Sequence, residues 1–433
     1  MLHVSTRTAA WLASLGIVSS ASLLLAGCSP ASNSTTVQSN STVPAPSAGA
    51  TPVATSTTAQ GAQRAIGEVP WPQVGPGWML AVWTPVTPQL TGNQPPAGDP
   101  TPETATNVLY LVSPAGDRYS ITEFPPADDT PLLSEWSGDG SRALFISRRG
   151  FDTTAISIDL HTGARTSVPV DGDPSYAHPD GKTLLVAGFN GVESRPLKRI
   201  DMAGNEQMAY PTEDLGGAGR FGGDYLVTPD GAQLVLATEN LGNQISPRTD
   251  QSLVVMSNDD GSIVRALPAP LPEAECIPVK WWTPGVILVH CGGSGREQLW
   301  KVPVDGAEPT ALTGVNTREG NDPRFEDNLG NWNAYELPSG TFLPTVGPCG
   351  AGFVSRLTPD GGTQRVHIPG SLKSVELVGV SGDKLVVIGE IGCGGGTSLA
   401  TYDPVANTSA VLLGPPITAG GDIMYVLPYP AEK

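Results

Sequence analysis

The stretch AHPDGKTLLVA, residues 177–187, joins a Pro-Asp-Gly turn directly to an apolar run of strand-forming residues. An Asp in a turn accepts hydrogen bonds from its own backbone and Gly supplies a positive φ, so the tripeptide predicts a tight turn between two strands. Related turns lie at residues 137–140 and 228–231, again before apolar runs. We therefore interpret everything after about residue 66 as repeats of one unit built around this turn.

A second series of turns separates strands of a different kind. These turns are centred on residues 116, 163, 204, 261, 306, 361 and 407, at intervals of 47, 41, 57, 45, 55 and 46 residues. The strands before them alternate between polar and apolar residues, as half-buried strands do, whereas the strands after the first kind of turn are continuously apolar, as fully buried strands are. A period in the forties with four short strands is typical of β-propeller blades.

The sequence thus predicts an all-β fold, a single β-propeller of seven four-stranded blades over residues 66–433. Each unit contains strand A, a turn, strand B, a loop, strand C, a turn and strand D. Six or eight blades are the alternatives, because the sixth unit, at residues 331–343, matches the repeat poorly. A strand at residues 422–427 is left over, and we expect it to close the ring beside residues 78–83, since an open ring leaves exposed strand edges.

Residues 1–27 have the features of a signal peptide. Arg7 is the only charge before an apolar, small-residue segment from Ala9 to Leu25, which is short for a membrane span. The segment ends in LAGC, residues 25–28, which resembles the bacterial lipobox; this resemblance implies that Cys28 is acylated and becomes the mature N-terminus. Two acyl chains, at ~0.8 kcal/mol per buried CH2, would anchor the protein stably outside the cytoplasmic membrane. The alternative is an ordinary signal peptide with a chance Cys.

Residues 28–65 are expected to be the lipidated Cys followed by a disordered tether. Residues 29–63 are almost all Ser, Thr, Ala and Pro, with neither charged nor aromatic side chains, so they cannot bury a core. A flexible chain of this length typically reaches roughly 30–35 Å. Such a tether would hold the propeller domain off the membrane.

The formal net charge of −18 excludes some classes of partner. Binding to nucleic acid needs a basic face, and an anionic membrane surface repels an acidic protein. We interpret the acidity as solubility of an exported protein, with an acidic surface for a cationic partner as the alternative.

The turn-plus-strand units resemble the WD40-like repeats of TolB-type propellers, in which a Ser/Thr-Pro-Asp-Gly turn precedes an apolar strand. The resemblance covers residues 70–415 and is clearest around Asp139, Asp180 and Asp230. Together with the lipobox, it makes the chain similar to propeller lipoproteins of high-GC Gram-positive bacteria. Repeats of this kind imply a fold and no particular activity.

Four cysteines remain besides the lipobox Cys, and an exported chain can oxidise them. In the fifth unit, a hairpin turn at Thr283-Pro284 would place Trp282 opposite Gly285. The same register places Cys276 opposite Cys291 on strands A and B, close enough for a disulfide.

Cys349 and Cys393 both follow strand B, in the sixth and seventh units, so we predict a second disulfide between neighbouring blades. A metal site is the alternative for these cysteines. The sequence lacks the paired-Cys spacing of zinc sites, and His290 is the only histidine at ligand spacing. We therefore predict no metal and no cofactor.

A propeller places its A–B and C–D turns at one end, here called the turn face, and its B–C and D–A loops at the other, the loop face. The Asp-Gly turns are structural, so a binding site is expected on the loop face, since loops on a rigid scaffold often carry function. The charged residues predicted to make polar contacts there are Arg148, Arg149, Glu239, Arg296 and Glu390.

Enzymatic motifs are weak in this sequence. His161 and His178 belong to turns, and no Gly-x-Ser-x-Gly elbow with triad partners appears. We therefore predict a non-catalytic interaction module, anchored on the extracytoplasmic side of the cell membrane, for an unknown envelope or secreted protein. One alternative is a lactonase- or lyase-like enzyme with a metal in the central channel, and another is a sensor that binds a solute or glycan.

Overall fold

The computed structural model describes residues 55–58, 61–88, 98–126, 130–150, 152–188, 196–239, 253–271, 274–293, 295–391, 395–415, 417 and 420–430. In these ranges the chain forms seven sheets of four or five strands. The sheets follow one another as blades 1 to 7 of a β-propeller, which confirms the predicted all-β, seven-bladed fold. Among the helices of these ranges, none has the length and apolarity of a membrane-spanning helix.

The first half of the ring contains two N-terminal strands and blades 1 to 4. Its strands are β1 (Thr55–Thr58), β2 (Gln63–Ala65), β3 (Met79–Thr84), β4 (Asn107–Val112), β5 (Arg118–Phe124), β6 (Leu132–Trp136), β7 (Arg142–Arg149), β8 (Asp152–Asp159), β9 (Arg165–Val170), β10 (Gly172–Tyr176), β11 (Thr183–Gly188), β12 (Leu197–Asp201), β13 (Glu206–Ala209), β14 (Arg220–Val227), β15 (Gln233–Glu239), β16 (Leu253–Ser257) and β17 (Ile263–Leu267). Short 3-10 helices cover Ile66–Glu68 and Trp71–Gln73.

Blades 5 to 7 and the C-terminus complete the ring. Their strands are β18 (Glu275–Thr283), β19 (Val286–Gly293), β20 (Arg296–Pro303), β21 (Thr310–Ala311), β22 (Tyr335–Leu337), β23 (Gly340–Val346), β24 (Gly352–Leu357), β25 (Thr363–Val366), β26 (Ser371–Ser381), β27 (Lys384–Ile391), β28 (Ser398–Asp403), β29 (Thr408–Leu413) and β30 (Asp422–Pro428). A third 3-10 helix covers Pro348–Gly350.

The A strands lie innermost and line the channel along the ring axis. We call them the inner strands, and they are β30, β6, β10, β14, β18, β22 and β26. Inner strands of neighbouring blades pack against one another, as β14 does against β18 and β30 against β6. The outer D strands β13 and β17 are mostly exposed, which places them on the rim.

The B strands carry most of the core because both faces of each blade pack against a neighbouring blade. Leu184, Leu185 and Val186 of β11 are fully buried although successive side chains point to opposite faces. Burial of each such side chain contributes about 1.5–3 kcal/mol. The continuously apolar runs in the sequence therefore predicted these strands correctly.

The C-terminal strand closes the ring as expected. β30 pairs with β3 in antiparallel register, from Met79 opposite Pro428 to Thr84 opposite Asp422. Tyr429, just beyond it, donates its backbone N–H to Trp78 and packs edge-on against the Trp136 ring of blade 2 at 5.0 Å. The last strand therefore supplies the inner strand of blade 1 and contacts the next blade as well.

The ordered domain begins earlier than composition indicated. β1 and β2, which the sequence assigned to the tether, form parallel fifth strands outside β29 of blade 7 and β5 of blade 1. Edge strands bond through the backbone, so a Ser- and Thr-rich segment can add to a sheet without a hydrophobic core of its own. The segment from β1 to β2 therefore crosses the junction between the last and the first blade.

Blade 6 is the irregular unit that the sequence matched poorly. Its inner strand β22 has three residues, and a long connection from blade 5 precedes it. Buried polar side chains replace part of the apolar core: Asn328 donates to Asn331 at 3.1 Å, and Thr345 donates to Asn331 at 3.0 Å. Because these buried residues are polar, the sequence of blade 6 lacks part of the apolar pattern by which the other blades were identified.

Blade 5 contains the predicted disulfide between Cys276 and Cys291, whose Cα atoms lie 4.1 Å apart. The predicted turn was wrong, however, because Thr283 pairs with Val286 and the turn is therefore Pro284-Gly285. Two register shifts in β18 offset this difference before the cysteines are reached. The pairing is thus correct although the register at the turn differs.

The second predicted pair is incomplete in the described part of the chain. Cys349 is exposed and has no disulfide partner among the described residues. Cys393 lies outside the described residues. The disulfide between Cys349 and Cys393 therefore stays a prediction.

Candidate functional site

The Asp-Gly turns on the turn face have a structural role. Asp230 accepts hydrogen bonds from the Thr228 hydroxyl at 2.7 Å and from the backbone of Ala232 at 2.9 Å, while Gly231 adopts a φ of 76°. The hydrogen bond from Thr228 is the main cause that lowers the pKa of the Asp230 carboxyl. The carboxylate is therefore used within its own turn, as the sequence predicted.

On the loop face, Arg148 ends strand β7 of blade 2 and forms an ion pair with Asp173 of β10. The pair thus joins the B strand of one blade to the inner strand of the next. Arg149 follows it and is exposed. Both arginines lie where the B–C loop begins, as predicted.

Two predicted acids lie at the loop-face ends of B strands and approach bases on adjacent inner strands. Glu239 of β15 lies 3.9 Å from Arg220 of β14, and Glu390 of β27 lies 2.8 Å from Lys373 of β26. The bond to Glu390 and its negative charge raise the pKa of Lys373. In these contacts each candidate meets a residue of its own blade.

Arg296 begins strand β20 and is exposed on the loop face. Its neighbour Glu297, which sequence reasoning did not select, is more enclosed. Glu297 forms an ion pair with Arg318 at 2.8 Å and lies 3.9 Å from the ring of His290. A Cβ atom at Gly330 would lie 2.5 Å from the Glu297 carboxylate, so glycine there makes room for this cluster.

The five predicted residues therefore share one face but belong to blades 2, 4, 5 and 7. Three of them, Arg148, Glu239 and Glu390, approach oppositely charged residues of inner strands. Several loops of this face, at residues 189–195, 240–252 and 392–394, lie outside the described residues. The role of the five residues in binding stays a prediction.

The inner strands carry a second group of titratable residues that the sequence reasoning missed. Lys280 of β18 lies with its ammonium 3.6 Å from the centre of the Tyr335 ring of β22. The Tyr335 hydroxyl donates to the carbonyl of Val378 on β26 at 3.0 Å. Burial first, and the charge of Glu376 second, raise the pKa of Tyr335. Three successive inner strands therefore meet at this tyrosine.

A signal for this group was present in the sequence. Residues 278–282 are PVKWW, so one lysine interrupts a strand that is otherwise apolar and aromatic. Lysines are almost never fully buried without a partner, and an ionisable residue in such a strand is therefore a candidate functional residue.

One alternative prediction from the sequence was that acidic residues hold a metal in the central channel. In the described ranges, no three or more His, Cys, Asp or Glu side chains come together as potential metal ligands. Glu390, one of the acids considered for such a site, is bonded to Lys373.

Comparison with known proteins gives distant matches among solved structures only. No protein-family model matches the sequence, and no curated protein matches it. Among solved structures, the β-propeller domain of the Trilobed protease from Pyrococcus furiosus is 13% identical, with a TM-score of 0.45, and 78% of this chain matches 95% of that one. A puromycin-hydrolyzing peptidase of Mycobacterium tuberculosis is 16% identical with a TM-score of 0.43, and 72% of this chain matches 50% of it.

A TolB-like protein from Agrobacterium tumefaciens is 14% identical with a TM-score of 0.37, and 67% of this chain matches 88% of that chain. The chain spans about half the length of the acylaminoacyl and puromycin-hydrolyzing peptidases that it matches. At these identities the likeness concerns the propeller fold, and the chain is similar to propellers that belong to peptidases as well as to a TolB-like one.

Proposed function

We propose that the protein is a lipid-anchored, extracytoplasmic β-propeller that binds a protein partner of the cell envelope through its loop face. The sequence LAGC at residues 25–28 supports the anchor at Cys28. The exposed Arg149 and Arg296 and the ion-paired Arg148, Glu239 and Glu390 supply charged groups for a protein surface.

The path of the N-terminal strand carries this proposal. β1 runs parallel to β29, with Thr55 opposite Thr408 directly after the C–D turn of blade 7. β1 therefore begins at the turn-face end of blade 7. A flexible segment over residues 29–54 would reach roughly 25–30 Å. A lipid at Cys28 would then hold the turn face nearer the membrane and direct the loop face toward the envelope.

Replacement of Cys28 by Ser tests the anchor. We expect the wild-type protein to be found in the membrane fraction and to incorporate labelled fatty acid. The Cys28→Ser variant should incorporate none, because it lacks the thiol that carries the lipid. Fatty-acid labelling that persists in Cys28→Ser would show that the lipid is attached elsewhere.

A photo-cross-linking amino acid tests the binding face. At Arg296, on the loop face, it should yield a discrete cross-linked product in intact cells. At Val405, which is 79% exposed in the C–D turn of blade 7, it should yield much less of that product. Equal products from both positions would contradict a loop-face interface, as would a product found from Val405 alone.

A further inference from the structure

Lys280 and Lys301 approach one indole ring near the turn face of blade 5. The ammonium of Lys280 lies 5.9 Å from the centre of the Trp282 ring, and that of Lys301 lies 4.5 Å from it. Both lysines and the tryptophan are half-buried. Lys280 also lies against Tyr335, so two cations and two aromatic rings form one group at the boundary of blades 5 and 6. We call these four residues the lysine cluster.

Neither lysine of the cluster has an acidic partner in the described part of the chain. Other lysines do: Lys182 bonds Asp180 at 3.0 Å, and Lys198 bonds Asp171 at 2.8 Å. The sequence contains 42 acidic residues and 24 basic ones, so acids are abundant. A carboxylate could readily have been placed beside Lys280, and its absence from the described surroundings leaves the positive charge available to a ligand.

The surroundings of Lys280 disfavour its positive charge. Burial lowers the pKa of Lys280 from 10.5 to about 7. Burial raises the pKa of Glu376. The titratable groups on the inner strands β14, β22 and β26 are Arg220, Asp224, Tyr225, Tyr335, Glu336, Lys373 and Glu376. Attraction to aromatic faces offsets only part of the cost of removing an ammonium from water.

We propose that the lysine cluster binds a doubly charged anion of the phosphate class. Two ammonium groups match two negative charges, and both approach the same indole ring, at 5.9 and 4.5 Å from its centre. An anion bound there would favour the protonated form of Lys280, so binding above neutral pH would draw a proton from solution. This site lies near the turn face and is separate from the loop face proposed above for a protein partner.

Isothermal titration of the mature, full-length protein in a nonionic detergent tests this site, with inorganic phosphate as the probe at pH 8.5. Sodium chloride at matched ionic strength is the reference titrant. We expect phosphate to bind with a stoichiometry of one and more tightly than acetate, which carries a single charge. Titrations in buffers of different ionisation enthalpy should show that close to one proton is taken up per phosphate bound.

Three methionine variants locate the site. Lys280→Met and Lys301→Met should each weaken phosphate binding about tenfold or more, which corresponds to the loss of one charged contact. Lys384→Met removes an exposed lysine at the start of β27 in blade 7 and should leave binding unchanged. Lys280→Arg keeps the charge without the lowered pKa, so it should bind phosphate without the proton uptake.

The free energy of unfolding of these variants should also depend on pH in a defined way. Between about pH 7 and 10.5 the unfolded chain holds a proton that folded Lys280 has lost, so the free energy of unfolding of the wild type rises with pH across this window. Lys280→Met should remove this rise and should be more stable than the wild type at pH 7. A stable Lys280→Met variant excludes misfolding as the cause of lost binding.

Two sources could supply the anion, a soluble phosphate compound or a phospholipid headgroup. Vesicles that contain phosphatidic acid, a phosphomonoester that can carry two charges, distinguish them when compared with phosphatidylcholine vesicles. Lys280-dependent binding to phosphatidic acid in competition with phosphate indicates the headgroup, and phosphate binding unaffected by these vesicles indicates the soluble anion. Unchanged phosphate affinity in Lys280→Met, or wild-type protein that takes up no phosphate, would overturn the proposal.

Discussion

Deletion of residues 420–433 should abolish the cooperative unfolding transition of the propeller or lower its midpoint by more than about 10 °C. The deletion removes β30, which is the inner strand of blade 1, and exposes the full edge of β3 from Met79 to Thr84. It also removes the buried side chains of Ile423 and Val426. Each contributes about 1.5–3 kcal/mol, a large share of a total stability of about 5–15 kcal/mol.

Circular dichroism and differential scanning calorimetry of matched truncations measure this effect. Deletion of residues 431–433 alone is the control and should change the melting temperature by less than about 1 °C, because it leaves β30 and Tyr429 in place. A milder variant, Val426→Asp, should fall between the two, since it buries a charge without removing the strand. A melting temperature that is unchanged without residues 420–433 would refute closure of the ring by β30.

Replacement of Asn258 by Ala should lower the free energy of unfolding by about 3–5 kcal/mol. Asn258 is fully buried, and its amide donates to the carbonyls of Ala177 at 2.9 Å and Gly231 at 2.7 Å. Its side-chain oxygen accepts a hydrogen bond from the hydroxyl of Tyr210. Ala177 and Gly231 lie in the A–B hairpins of blades 3 and 4, so one side chain from the C–D turn of blade 4 joins both hairpins.

Each polar group left unpaired in the core costs about 1–3 kcal/mol, and Asn258→Ala leaves the carbonyls of Ala177 and Gly231 without this bond. The Tyr210 hydroxyl keeps its hydrogen bond to the backbone carbonyl of residue 258. Urea unfolding, followed by tryptophan fluorescence, gives the change. Asn205→Ala is the matched control, because Asn205 is exposed in the corresponding turn of blade 3 and its amide bonds only to Asp201. That variant should differ from the wild type by about 0.5 kcal/mol or less. A loss below about 1 kcal/mol in Asn258→Ala would show that the hairpins do not depend on this residue.

Features with a local cause could be predicted from the sequence. The Asp-Gly turns need a positive φ and a short acceptor, and a strand buried on both faces must be apolar, so most blades show one or both patterns in the sequence. The leftover strand at residues 422–427 needed a partner, and the unpaired edge of β3 was the one that a closed ring requires. Pairing of Cys276 with Cys291 followed from the hairpin between them.

Features that depend on contacts between distant residues could not be predicted in this way. β1 and β2 join sheets at the rim through the backbone alone, so their composition resembles that of a tether. The register shifts in β18 and the buried Asn328 and Asn331 of blade 6 depend on neighbouring blades. Lys280 could be recognised in the sequence as a charge in an apolar strand. The other members of its cluster, Lys301 and Tyr335, come from other strands and could not be assigned to it.

The most direct test of the proposed orientation is the ratio of cross-linked product from Arg296 to that from Val405. This ratio is determined in intact cells, both with Cys28 present and in Cys28→Ser. The proposed arrangement predicts a ratio well above one when Cys28 is lipidated, because the loop face meets the partner while the turn face lies nearer the membrane. It also predicts that product from Arg296 decreases in Cys28→Ser, because a lipid at residue 28 no longer holds the turn face nearer the membrane. A ratio near or below one with the lipid anchor in place would contradict the loop face as the binding surface.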